Sequence, residues 1–226
     1  MNNFELETIK NFIIKNRNGD VVIFEFGSFD GRETITYSQY EFNPIVYGFE
    51  PDANNFSNCL KNIGINKNII MNNYAISNID GEQEFYTSKM IKDNQITDNG
   101  GFAGSLLKHS QFHIENQIPW QKFSDDNPIM VKTKRIETFC IENNISHIDF
   151  MHMDVEGAVE NVLMGFGKIR PKLIYAEVGW DINWVNGKSK CELEKIFFQM
   201  GYENLSDKIG HVSDSDSFYQ YINKEK

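Results

Sequence analysis

Five short apolar runs mark the chain: Val21–Phe24, Ile45–Phe49, Ile69–Met71, Ile148–Met151 and Leu173–Ala176. A continuous run bounded by turn residues suits a strand buried on both faces of a parallel sheet, where both rows of side chains meet apolar neighbours. Between the runs lie helix-like segments over about 31–41, 52–62, 135–144 and 157–166, and another near 190–200. This alternation predicts an α/β fold with right-handed crossovers. Ahead of it, Phe4, Leu6, Ile9, Phe12, Ile13 and Ile14 recur at roughly helical spacing and predict a helix over 3–17, closed by the turn Asn18-Gly19-Asp20. After the last helix, 202–212 and 217–223 read as two closing strands around Ser213–Asp216. The stretch 88–128 breaks the rhythm. It is polar and contains glycine, and long connections of this kind are often lids or binding loops. With no repeat and no linker in view, residues 1–226 are expected to form a single domain carrying that insert.

Composition narrows the picture. Hydrophobic residues make up 40% of the chain and aromatics 13%, enough to build a packed core. The formal net charge of −10, with no basic stripe, argues against nucleic acid and anionic membranes as partners. Three widely spaced cysteines, Cys59, Cys140 and Cys191, lack metal-ligand spacing and suit a reducing compartment. No run has the length of a membrane span, and the first residues do not resemble a signal peptide. A soluble, cytoplasmic protein is expected.

The chemistry gathers at the ends of the apolar runs, where open α/β sheets bind ligands. Glu25-Phe26-Gly27-Ser28-Phe29-Asp30-Gly31 follows the first strand. Gly27 lets the backbone turn and approach a ligand, and Glu25 can pair with a ligand ammonium group. Glu50, at the end of the second strand and just before Pro51, stands where an acid accepts hydrogen bonds from a ribose diol, about 20 residues after the glycine turn. An adenosine-type cofactor follows from the two together. S-adenosylmethionine fits better than NAD. The pattern is acid-x-Gly-x-x-x-Gly, where a pyrophosphate loop wants Gly-x-Gly-x-x-Gly, and Asp30 would repel a phosphate. After the fourth strand, His152, Asp154 and Glu156 crowd the sheet edge, with Glu177 beyond the fifth. Acids there favour a cationic sulfonium. His152 has the pKa range of a general base for a hydroxyl nucleophile.

At these residues the chain resembles the FkbM family of S-adenosylmethionine-dependent methyltransferases. The resemblance rests on EFGSFDGRET (Glu25–Thr34), YGFEP (Tyr47–Pro51), NYAIS (Asn73–Ser77) with Gly81, and IDFMHMDVEGAVENVL (Ile148–Leu163), and it spans roughly 20–180 in family order. It implies a class I methyltransferase fold: a doubly wound, mostly parallel, seven-stranded sheet whose last two strands form a closing antiparallel pair. It also implies O-methylation, commonly of sugars, glycans or secondary metabolites. The chain departs from the family at Glu25, usually Asp; at His152, usually Lys; and at Val159, where the family favours a second Glu.

The expected cofactor site is Glu25, Gly27, Ser28, Phe29, Asp30, Gly31 and Thr34 around the methionine part, Glu50 and Pro51 at the ribose, and Asn73 and Ala75 near the adenine. Ser105 resembles a small polar family position near the cofactor, and Asp154 is also placed there. His152, Asp154 and Glu177 are the catalytic candidates. A divalent cation held by Asp154, Glu156 or Glu177 is an alternative way to orient the acceptor. His109, His113, Trp120, Trp180 and Trp184 offer rings of the kind that recognise sugars. Two other readings compete: a nicotinamide-dependent oxidoreductase, and an adenosyl-binding protein of the same fold without turnover.

Overall fold

The computed structural model describes residues 1–92, 95–116, 121–123, 126–179 and 181–222. Trp120 and Trp180 lie outside the described residues. The chain runs α1 (Asn3–Asn16), β1 (Val22–Phe26), α2 (Arg32–Ser38), β2 (Ile45–Phe49), α3 (Ala53–Ile63) and β3 (Ile69–Asn72). An insert follows, with β4 (Ala75–Ile76), β5 (Gly81–Phe85), β6 (Ser88–Lys92), β7 (Gln95–Gly100), α4 (Gln111–Glu115), β8 (Gln121–Phe123) and β9 (Ile129–Lys134). The chain then returns through α5 (Ile136–Glu142), β10 (Phe150–Met153), α6 (Val159–Met164), β11 (Leu173–Glu177), α7 (Lys190–Gln199), β12 (Tyr202–Asn204), α8 (Ser206–Ile209) and β13 (Asp216–Tyr221).

The expected seven-stranded sheet forms in the order β12-β13-β11-β10-β1-β2-β3. Every neighbouring pair is parallel except those of β13, which runs against both β11 and β12. All five residues of β1 are buried. Val22, Phe24 and Phe26 enter one core cluster with residues of α5, α6 and α7, while Ile23 enters another with Ile9 and Ile13 of α1 and Tyr37 of α2. That division is the period-two alternation of a strand covered by helices on both faces. Capping boxes at Asn2/Glu5 and Ser189/Glu192 set the starts of α1 and α7, each side chain satisfying the other's free N–H. The strand order reverses between β1 and β10, so their carboxyl ends frame the crevice in which such sheets bind ligands.

Two expectations change. Within the stretch read as an insert, 88–128, β6, β7 and β8 pair into a three-stranded sheet, and the residues flanking that stretch add a second one, β4-β9-β5. Strands such as Gly81–Phe85 are solvated along most of their length, so they need no apolar run and leave little trace in the pattern. The closing strand expected over 202–212 stops at Asn204. There the Asn204 side chain accepts a hydrogen bond from the Ser206 N–H at 2.8 Å and turns the chain into α8.

Candidate active site

The turn after β1 is shaped by Gly27. Its φ is +83°, and a Cβ there would lie 1.9 Å from the Asp154 carbonyl oxygen, so both backbone conformation and space exclude a side chain. The turn is held to the next strand by the N–H groups of Gly27 and Ser28, which donate to the Phe49 carbonyl at 3.0 and 3.1 Å. Phe29, with φ +48°, donates its N–H to Glu50 Oε2 at 2.9 Å, while Glu50 Oε1 accepts from the Asp52 N–H at 2.9 Å. Glu50 is therefore fixed by backbone donors, and each of its oxygens keeps a second lone-pair site for a ligand. Burial pushes its carboxyl up to about 8.

Glu25 stands at the end of β1, opposite His152 in the β1–β10 register. It accepts hydrogen bonds from the hydroxyls of Ser28 and Thr34, and burial raises its carboxyl to about 8. His152 Nδ1 lies 3.2 Å from the Tyr37 hydroxyl and 3.9 Å from Glu25 Oε1. Burial lowers the His152 pKa to about 4, which keeps the ring neutral near pH 7.

Three acids meet beyond β10 and β11. Carboxylate oxygens of Asp154, Glu156 and Glu177 lie within 4.8 Å of one another. Desolvation first, and nearby carboxylates second (Asp216 for Asp154, Glu177 for Glu156, Asp154 for Glu177), raise Asp154 to about 6, Glu177 to about 8 and Glu156 well above the usual carboxylate range. The backbone here is strained: Glu156 has φ +51°. Its carbonyl accepts from Ser105 Oγ at 2.6 Å. Trp184 lies over Gly157, where a Cβ would fall 2.3 Å from the indole.

Glu25, Gly27, Phe29, Glu50, His152, Asp154 and Glu156 border one cavity of about 430 Å³, a size suited to a cofactor-sized ligand. Phe85, Gly101, Phe102, Gly104 and Leu106 of the insert close one side, and Phe102 meets Phe29 edge to face at 6.3 Å. Glu5 of α1, Tyr175 and Asp216 close the far end. Seven carboxylates border the cavity (Glu5, Glu25, Glu33, Glu50, Asp154, Glu156 and Asp216) and, among the described residues, no lysine or arginine does. A cationic ligand is favoured there to the extent that it draws these acids, several of them held neutral by burial, into the ionised form.

Of the expected site residues, Glu25, Gly27, Ser28, Phe29, Glu50, Pro51, Ala75, His152 and Asp154 line this cavity. Thr34 is fully buried behind Glu25 and holds it. Asp30 turns away to pair with Arg32 at 2.8 Å, and Gly31 caps α2 in a left-handed conformation. The exposed Asn73 donates to the carbonyls of Glu50 and Pro51 at 2.9 and 3.1 Å, outside the cavity. Ser105 is spent on Glu156 O and the Leu107 N–H, so it shapes the acidic turn from behind. Glu177 adjoins Asp154 and Glu156 without bordering the cavity. His109 and Trp184 are almost wholly buried and pack with His113 and Phe123, the His109 ring 3.9 Å from that of Phe123. These rings lock the insert to the main sheet and are not presented to an acceptor. Glu5, Asn55 and Asp216 were not foreseen. Each belongs to an element whose local pattern carries only a capping or strand signal, and the topology alone brings them to the cavity.

The strand order, the single reversed strand and the glycine turn at the switch point together define the class I methyltransferase fold. Within that class the chain belongs to the FkbM family: the model described as "Methyltransferase FkbM domain" matches residues 25–204. The chain is 30% identical over 161 residues to the 2-O-methyltransferase NoeI of Sinorhizobium fredii, a match covering 70% of this chain and 63% of that protein. Among solved structures it is similar to the precorrin-6y C5,15-methyltransferase of Geobacter metallireducens (TM-score 0.45, 9% identity, covering 88% of this chain and 71% of that one). It is also similar to M. capricolum TrmK in complex with S-adenosyl-homocysteine (TM-score 0.41, 13% identity, covering 100% and 70%). Among the described residues no helix is long and apolar enough to cross a membrane.

Proposed function

We propose that this protein transfers a methyl group from S-adenosylmethionine to a hydroxyl oxygen of a sugar or similar small acceptor. The observation that carries the reading is Glu50, buried at the end of β2 beside the glycine turn, with both oxygens oriented by backbone donors and bordering an acidic cavity. Glu50 holds the ribose, and Glu25 faces the ammonium group. The cofactor supplies a methyl group on a positively charged sulfur, which an oxygen displaces in line. The acceptor class is supported by the name of the Sinorhizobium relative, a 2-O-methyltransferase.

Most of the rate for such a displacement comes from alignment. The insert acts as the lid that excludes water and aligns the acceptor. The acceptor proton passes to the Asp154/Glu156/Glu177 group, whose raised proton affinities match a base working near neutral pH better than His152 at about 4. His152 and Tyr37 position Glu25. A second reading comes from the spacing of the same three carboxylates, whose hard oxygens can hold a divalent cation that orients the acceptor. Calorimetry with S-adenosylhomocysteine and with NAD, followed by transfer of labelled methyl to a panel of sugars with and without chelator, tests all of this. Binding of NAD in preference to S-adenosylhomocysteine would overturn the methyltransferase reading. Full activity after chelation would remove the cation.

A further inference from the structure

Asn55, one turn into α3, borders the cavity beside Glu50 and is only 6% exposed. Its Nδ2 donates to the Gly101 carbonyl of the insert at 3.1 Å. The orientation of the amide follows from that bond: turning it over would set Oδ1 against the Gly101 carbonyl. Oδ1 is left buried and without a partner. A bare acceptor in a buried position is uncommon and is disfavoured until a donor reaches it. The donor has to arrive from the cavity at the level of Glu50.

We propose that Asn55 is a second ribose-reading residue, whose Oδ1 accepts a hydrogen bond from one hydroxyl of the cofactor ribose beside Glu50, in an orientation set by the Gly101 carbonyl. This rests on the S-adenosyl reading of the cavity. A ribose diol presents two O–H donors, and Glu50 with Asn55 presents a matching row of acceptors. One amide then joins α3 to the insert beside the ribose acid, so the insert takes part in reading the cofactor as well as covering it.

The test compares S-adenosylhomocysteine with its 2′-deoxy and 3′-deoxy forms, titrated calorimetrically into the wild type and into Asn55→Ala. Loss of one neutral hydrogen bond weakens S-adenosylhomocysteine roughly three- to tenfold in the variant. The decisive readout is the deoxygenation penalty: at one of the two hydroxyls it shrinks or vanishes in Asn55→Ala and persists at the other. If the variant weakens all three ligands by the same factor, or none of them, Asn55 only braces the insert and the inference is overturned. Asn55→Ser, too short to reach the ligand, is read in the same way should the alanine variant fail to fold. Failure of the wild type to bind S-adenosylhomocysteine at all would overturn the proposed function itself, an outcome distinct from equal weakening.

Discussion

Replacing Glu50 by glutamine keeps the shape of the side chain and removes one acceptor. In the wild type Oε2 takes the Phe29 N–H and Oε1 takes the Asp52 N–H, each at 2.9 Å. A carboxamide can serve only one of these, and its NH2 group confronts the other. An unsatisfied buried N–H costs about 1–3 kcal/mol. Because burial already pushes Glu50 up to about 8, the unliganded carboxyl is largely neutral at pH 7, and the loss of stability should sit at the lower end of that range. Binding is affected as well: the ribose loses a hydrogen bond to a largely neutral acceptor, about 0.5–1.5 kcal/mol, or roughly three- to tenfold in Kd. The assay is calorimetric titration of S-adenosylhomocysteine, with thermal unfolding of the unliganded variant alongside. A folded Glu50→Gln protein that binds S-adenosylhomocysteine as tightly as the wild type would refute the assignment.

Three further outcomes are expected. Gly27→Ala forces an alanine into a left-handed backbone and sets its Cβ 1.9 Å from Asp154 O, together costing about 3–5 kcal/mol; a melting temperature lowered by only a degree or two would contradict this. Trp184→Ala empties the space over Gly157 and should cost about 3–5 kcal/mol in denaturant unfolding; a change near zero would mean that the indole does not support the acidic turn. Glu25, Glu50 and Glu177 hold protons in the folded state up to about pH 8 but lose them near 4.5 when unfolded, so their contribution is full below 4.5 and is lost as pH rises through 8. His152, lowered to about 4, contributes with the opposite sign, growing between about 4 and 6.5 and complete above that. Between pH 6.5 and 8.5 the melting temperature of the unliganded protein should therefore fall, and one that rises across this window would contradict the assigned shifts.

The parallel sheet was legible because strands covered on both faces must be apolar throughout, as Val22–Phe26 and Leu173–Glu177 largely are. The glycine turn and Glu50 were legible because their chemistry is local: a positive φ and an acid at a strand end. The insert was not, because strands such as Gly81–Phe85 are largely solvated and pair with a strand far along the chain. Thr34, Asn73 and Ser105 do not line the cavity, and sequence cannot distinguish a residue that faces a cavity from one that holds a neighbour which does. Their hydroxyl and amide groups are spent on Glu25, on the backbone of Glu50 and Pro51, and on Glu156. For His152 the ring type suggested a base, and only its burial against Tyr37 lowers its proton affinity to about 4.

The insert leaves the main sheet after β3 and returns at α5, and its two small sheets pair internally, sharing no strand with the seven-stranded sheet. Its length and loops can therefore drift through evolution without shifting the register of the strands that carry Glu25 and Glu50. The molecule is modular in that sense: exchanging residues 73–135 changes one wall of the cavity without touching the strands that carry Glu25 and Glu50. The joints such a transplant has to respect include a carbonyl at the position of Gly101 to meet Asn55, a hydroxyl at Ser105 to hold Glu156, the Asn73 amide on the Glu50 backbone and the packing of His109 on Trp184.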